Sequence, residues 1–223
     1  MSDSKVLNIC FHGVGEPQRE MEPGEDVYWV TADRFEAILD EVSSWPVPVR
    51  LSFDDGNASD VEIGLPGLVE RGLTAEFFLL AGRLDTPGSI DSAGVAKLRA
   101  AGMPVGSHGM AHRSWRGLTA AETVAEFDTA RTVLAEAAGA PVDTAACPLG
   151  RYDRRVITEL RRRGYTRVYT SDRRPARADS WLQPRYSVRH HDTPESLRAE
   201  VLAPAPLPAR ARALAVGAVK RWR

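Results

Sequence analysis

Two short stretches carry side chains that could do chemistry together. The first is Leu51-Ser52-Phe53-Asp54-Asp55-Gly56, an apolar run that ends in two adjacent carboxylates and a glycine. The second is Ser107-His108-Gly109-Met110-Ala111-His112, in which two imidazoles stand four residues apart. Imidazole nitrogen is a preferred ligand for zinc and similar divalent ions, and a carboxylate is a common third partner. Three protein ligands leave positions open for water and substrate, which separates catalytic from structural metal sites. Each stretch alone has an ordinary reading, an Asp-Asp-Gly turn after a strand and an incidental His pair. Together at two strand ends they point to a metal-assisted site.

The surrounding elements can place them there. Val47, Val49, Leu51 and Phe53 alternate as a buried strand demands, which puts Asp54 and Asp55 at its C-terminal end. Side chains of neighbouring strand residues point to opposite faces, so the two aspartates need not share a task. Val6–Phe11, Thr74–Leu80, Pro104–Gly106, Val142–Cys147, Thr166–Thr170 and Trp181–Val188 read as further strands. Between them lie helical signals: the apolar stripe of Phe35, Ile38, Leu39 and Val42, capping boxes at Ser59/Glu62 and Thr119/Glu122, a cap at Asp153, and Thr193-Pro194. Strand and helix alternate six or seven times, which implies parallel pairing with right-handed crossovers. Polar, functional-looking residues follow strand after strand, so an α/β barrel is expected rather than an open sheet. No glycine-rich phosphate loop follows any strand.

Composition narrows the partners. The 223 residues carry 29 Lys and Arg against 30 Asp and Glu, a net charge of −1 that offers no general attraction to nucleic acid. The two cysteines, Cys10 and Cys147, fall in apolar runs and are expected to be buried and reduced. The N-terminus shows no basic region followed by an apolar run, so a cytoplasmic location is expected. From Ala203 onward prolines interrupt the chain, and Arg210, Arg212, Lys220, Arg221 and Arg223 are unopposed by acids. The division expected is a catalytic domain over 1–204 and a basic, helical C-terminal tail over 205–223. That tail is able to make weak contact with an anionic membrane.

With these motifs quoted, the sequence resembles the polysaccharide deacetylases with a NodB homology domain, carbohydrate esterase family 4. The resemblance spans roughly residues 5–200. It implies a distorted (β/α)7 barrel and metal-dependent N-deacetylation of acylated amino sugars, hence a hydrolase of non-peptide carbon–nitrogen bonds. By position it implies that Asp55, His108 and His112 hold a divalent metal, most often Zn2+, with Co2+, Ni2+ or Mn2+ as alternatives. Asp54 becomes the general base, and the backbone N–H of Leu149, in Pro148-Leu149-Gly150, the oxyanion donor. The family's late-strand histidine, the general acid, corresponds loosely to His190 in Val188-Arg189-His190.

The chain departs from the family at the arginine that pairs with the base, where it has Ala145 and Ala146. Arg151 or Arg185 are candidate replacements, and Arg185 is also a candidate substrate contact. Trp115 has an aromatic face that can stack on a sugar ring or pack at a helix start. Asp172 is a supporting acid or a turn residue. His12, after the first strand, can line the same mouth, with a non-catalytic role expected. The expected substrate is a glycan or glycoconjugate precursor bearing an N-acetyl group. The alternatives are hydrolysis of a formyl or cyclic amide on the same site, and a non-catalytic carbohydrate-binding relative.

Overall fold

A computed structural model describes residues 5–202; the tail expected over 205–223 lies outside the described residues. Six parallel strands follow one another around a ring: β1 (Lys5–Phe11), β2 (Val49–Asp55), β3 (Ala75–Leu79), β4 (Val105–Ser107), β5 (Thr144–Ala146) and β6 (Arg167–Thr170). A two-residue β7 (Ala176–Arg177) lies antiparallel to the start of β1. The last stave is one extended segment broken at Arg185. Its first part, β8 (Leu182–Pro184), pairs with β6, and its second part, β9 (Tyr186–Ser187), pairs with β1. By bonding both neighbours in turn it nearly closes a seven-staved (β/α) barrel, the fold class expected from the sequence.

Strand alternation sorts two kinds of side chain. One face of each stave carries Ile9, Phe11, Leu51, Phe53, Phe77 and Leu79, which join Phe35, Ile38 and Leu39 of helix α1 (Ala32–Ser43) and Leu68 of α2 (Leu65–Glu70) in the main apolar core. Phe53 stacks on Phe77 with ring centroids 4.7 Å apart, and removing such a buried ring costs about 3–5 kcal/mol. The opposite face lines the barrel axis and is largely polar. Asn8 donates to Gln183 there, Arg50 to the same Gln183, and Arg185 to Ser52 and Asp54. Phe78, Ala146 and Tyr169 form a small apolar plug among them. Both cysteines are buried and neither is in a disulfide.

The remaining helices are α3 (Ser92–Ala100), α4 (Ala120–Val124), α5 (Ala130–Ala138), α6 (Arg154–Arg162) and α7 (Pro194–Leu202). Thr119 and Glu122 form the expected reciprocal capping box, and the Asp153 side chain caps α6. The Ser59/Glu62 box does not form. Ser59 Oγ accepts from Val14 N–H instead, and a π-turn over Asp60–Gly64 leads into α2. A second π-turn, Ala125–Thr129, joins α4 to α5 and buries Glu126, with consequences for the site. Among the described residues no helix is long and apolar enough to cross a bilayer.

Candidate active site

The C-terminal ends of β2 and β4 bring the two motifs together. Asp54 continues the inward-facing series and is 2% exposed at the top of the barrel axis. Asp55 leaves the strand with φ 80°, a left-handed conformation that turns its carboxylate toward the histidines. Its Oδ1 lies 3.5 Å from His108 Nε2 and 3.4 Å from His112 Nε2. The His pair is not helical. It sits on a loop whose Gly109 has φ 89°, where a side chain would collide with the Glu126 carboxylate. Glu126 Oε2 accepts from Met110 N–H at 2.8 Å and from Trp115 Nε1 at 3.2 Å, so the π-turn supplies the pin for this loop.

The donor set suits a divalent cation. His108 Nδ1 is 3.0 Å from the Ala146 carbonyl, and His112 Nδ1 is 2.5 Å from the Glu22 carboxylate. Acceptors at both Nδ1 atoms place the ring protons there and leave both Nε2 lone pairs facing Asp55. Asp55 Oδ1 is buried and has no hydrogen-bond partner. Zinc bonds of about 2.0–2.1 Å in a tetrahedron separate donors by about 3.4 Å, close to the spacing found. Burial pushes the His108 imidazole down to about 4, which keeps it neutral and able to ligate near pH 7.

Asp54 is held differently. Arg185 is fully buried and spans both carboxylate oxygens, Nη1 to Oδ1 at 2.6 Å and Nη2 to Oδ2 at 2.5 Å. Burial alone would raise the Asp54 carboxyl, but the Arg185 charge and hydrogen bonds hold it well below the usual carboxylate range. Arg185 thus stands in for the arginine missing at Ala145 and Ala146. With no exposed surface and both Nη atoms bonded to Asp54, it is not the substrate contact that was also expected of it. Arg151 is exposed.

Other expectations need correction. Trp115 is 2% exposed, edge-to-face with Phe127 and bonded to Glu126, so no ring face is open to a sugar. His190 is exposed on the rim with Nδ1 3.3 Å from the Val27 carbonyl. It is His12 that meets the base: nitrogen of His12, Sγ of Cys10 and an Asp54 oxygen lie within 4.8 Å of one another. That trio is not a second metal site. Arg185 occupies both Asp54 oxygens, and burial pushes the Cys10 thiol well up. Asp172 accepts from Tyr152 and Thr170 hydroxyls and so holds its own turn. Leu149 stands beyond β5 with φ 56° and its side chain 53% exposed. Asp55, His112 and Leu149 are three of the five non-glycine residues in left-handed conformation among the described residues. Such strain costs on the order of 1–3 kcal/mol each and gathers at functional sites.

The family model for polysaccharide deacetylase matches residues 46–168, more than half of the chain. The chain belongs to this family. Polysaccharide deacetylases are hydrolases of non-peptide carbon–nitrogen bonds, they are metal-dependent, and this member has a possible metal site. Among solved structures, it resembles a polysaccharide deacetylase from Bacillus cereus with TM-score 0.76 and 19% identity over 88% of this chain and 69% of that one. The Streptococcus pyogenes deacetylase PplD, in complex with acetate, gives TM-score 0.77 and 17% identity over 91% of this chain and 100% of that one. IcaB from Ammonifex degensii gives 0.71 and 19% over 90% and 98%. At these identities the structures establish the deacetylase fold. No curated protein matches by sequence.

Proposed function

We propose that this deacetylase removes the acetyl group from an N-acetylated amino sugar in a glycan or glycan precursor. The observation that carries the reading is the placement of a buried Asp54–Arg185 pair beside the converging Asp55, His108 and His112. The last three residues would hold the cation, most suitably Zn2+ for two imidazoles and a carboxylate. A cation bound there polarises the amide carbonyl and makes a neighbouring water acidic near neutral pH.

The chain's own residues supply the proton traffic. Asp54 takes the proton of the attacking water, and Arg185 keeps the carboxylate ionised and fixed in plane. A carboxylate stabilised this strongly is a weak base, so transfer accompanies attack on the carbonyl, when the water is most acidic, rather than preceding it. The Leu149 N–H, in the turn just beyond β5, is the donor we assign to the developing oxyanion. His12, beside Asp54 at the mouth, returns a proton to the departing amine nitrogen in place of His190. Atoms balance: water's hydroxyl adds to the acyl carbon as its proton goes to Asp54, and the C–N bond breaks as His12 protonates the nitrogen. The proton held by Asp54 restores His12, leaving the amine and acetic acid, which exchange a proton in solvent.

The experiment is acetate release from N-acetylglucosamine oligomers by the purified, zinc-loaded protein, with formate release from N-formyl analogues measured alongside. Asp54→Asn should keep zinc and lose turnover by about 100- to 10,000-fold, while Asp55→Ala should lose both. Wild-type zinc content and turnover in Asp55→Ala would overturn the site; formate release without acetate would overturn the substrate.

A further inference from the structure

The long connection between β1 and α1 reaches over the mouth, and one of its acids touches the site. Glu22 Oε2 lies 2.5 Å from His112 Nδ1, and its other oxygen pairs with Arg83 Nη2 just beyond β3. The connection is clamped independently of these contacts. Glu22 N–H donates to Glu25 Oε2 at 2.8 Å, Glu25 pairs with Arg19, and Arg19 Nη2 reaches Asn57 Oδ1 at 2.8 Å, two residues beyond Asp55. Glu22 is therefore delivered to His112 by a tether anchored on the loop that carries the opposing carboxylate. His112 itself has φ 44°, in the left-handed region.

We propose that Glu22 is a positioning residue for the metal centre, holding His112 as the Nδ1–H tautomer with Nε2 aimed at Asp55, while Arg83 offsets the added negative charge. The proposal rests on the metal reading above. The two histidines are then oriented by different means, His108 by the neutral Ala146 carbonyl and His112 by a charged carboxylate. A carboxylate behind an imidazole raises its basicity as a ligand, and losing such a partner typically weakens metal affinity about 10- to 100-fold.

The test is Zn2+ affinity, measured by competition with a chelating dye, for the wild type, Glu22→Ala, Glu22→Gln and Asp55→Ala. Glu22→Ala should bind zinc about 10- to 100-fold more weakly, and Glu22→Gln, which keeps an acceptor without the charge, should fall between. The melting temperature of the zinc-free variants should match that of the zinc-free wild type, which a general loss of structure would not allow. If Glu22→Ala binds within twofold of wild type while Asp55→Ala does not bind, the role of Glu22 is refuted and the metal site stands. If the wild type binds no better than Asp55→Ala, both fall.

Discussion

Replacing Arg185 with Met tests the centre of the site, because it removes a guanidinium and leaves a side chain of similar length. Arg185 has no exposed surface and makes three short polar contacts, two to Asp54 and one of 3.0 Å to Ser52 Oγ. Its removal strands the Asp54 charge in the barrel. Breaking a buried pair from one side costs about 3–5 kcal/mol, a large share of the 5–15 kcal/mol of an ordinary domain. Arg185→Lys keeps the charge but cannot span both oxygens, so about 1.5–3 kcal/mol is expected there. Asp54→Asn combined with Arg185→Met removes both charges and should lose about 1–3 kcal/mol less than the two single losses summed. Catalysis follows the same logic. Without Arg185, burial dominates and the Asp54 carboxyl rises, so its basic form appears only at higher pH. Urea unfolding at pH 7 and pH profiles of acetate release measure the two effects. Arg185→Met within about 1 kcal/mol of wild type, with an unshifted acid limb, would refute the account.

Two further outcomes follow from the geometry. His12→Ala should lower turnover on an acetamide by about 100-fold or more while sparing an aryl acetate, whose leaving group needs no proton; His190→Ala should change either by less than about threefold. Equal losses in the two variants would remove His12 from the reaction. In the metal-free protein, the His108 value is depressed from 6.5 to about 4 by burial, so the unfolded chain binds the proton more readily. Stability should be full above pH 6.5 and fall toward pH 4, with a slope of at most about 1.4 kcal/mol per pH unit from this group. His108→Gln should flatten that slope in urea titrations, and an unchanged slope would contradict the assignment.

Much of the molecule was legible because the signals are local. Alternating apolar residues in Val49–Phe53 mark a strand whichever partner it finds, and Thr119/Glu122 and Asp153 close their caps within one helical turn. Where local rules compete, the reading failed. Ser59 has capping-box spacing with Glu62, yet its hydroxyl is taken by Val14 N–H, 45 residues away. Trp115 follows the histidines as a sugar platform would, but the π-turn that brings Glu126 inward gives its indole N–H a buried partner. No periodicity signals a π-turn.

The sequence by itself determined the ligand types, their spacing on two strand ends, and the alternation that gives the barrel an apolar outer face and a polar axis. Which distant side chains complete the site was decided only by closure of the ring. The break at Arg185 lets one stave bond β6 and then β1, which drives the guanidinium onto Asp54, 131 residues earlier in the chain. The parallel register of β1 on β2, with Phe11 opposite Phe53, sets His12 beside the base, and the loop over the mouth carries Glu22 to His112, 90 residues away. Charge pairs of this kind leave no trace in spacing, because a buried carboxylate needs an opposite charge within reach and accepts it from whichever stave the topology brings there.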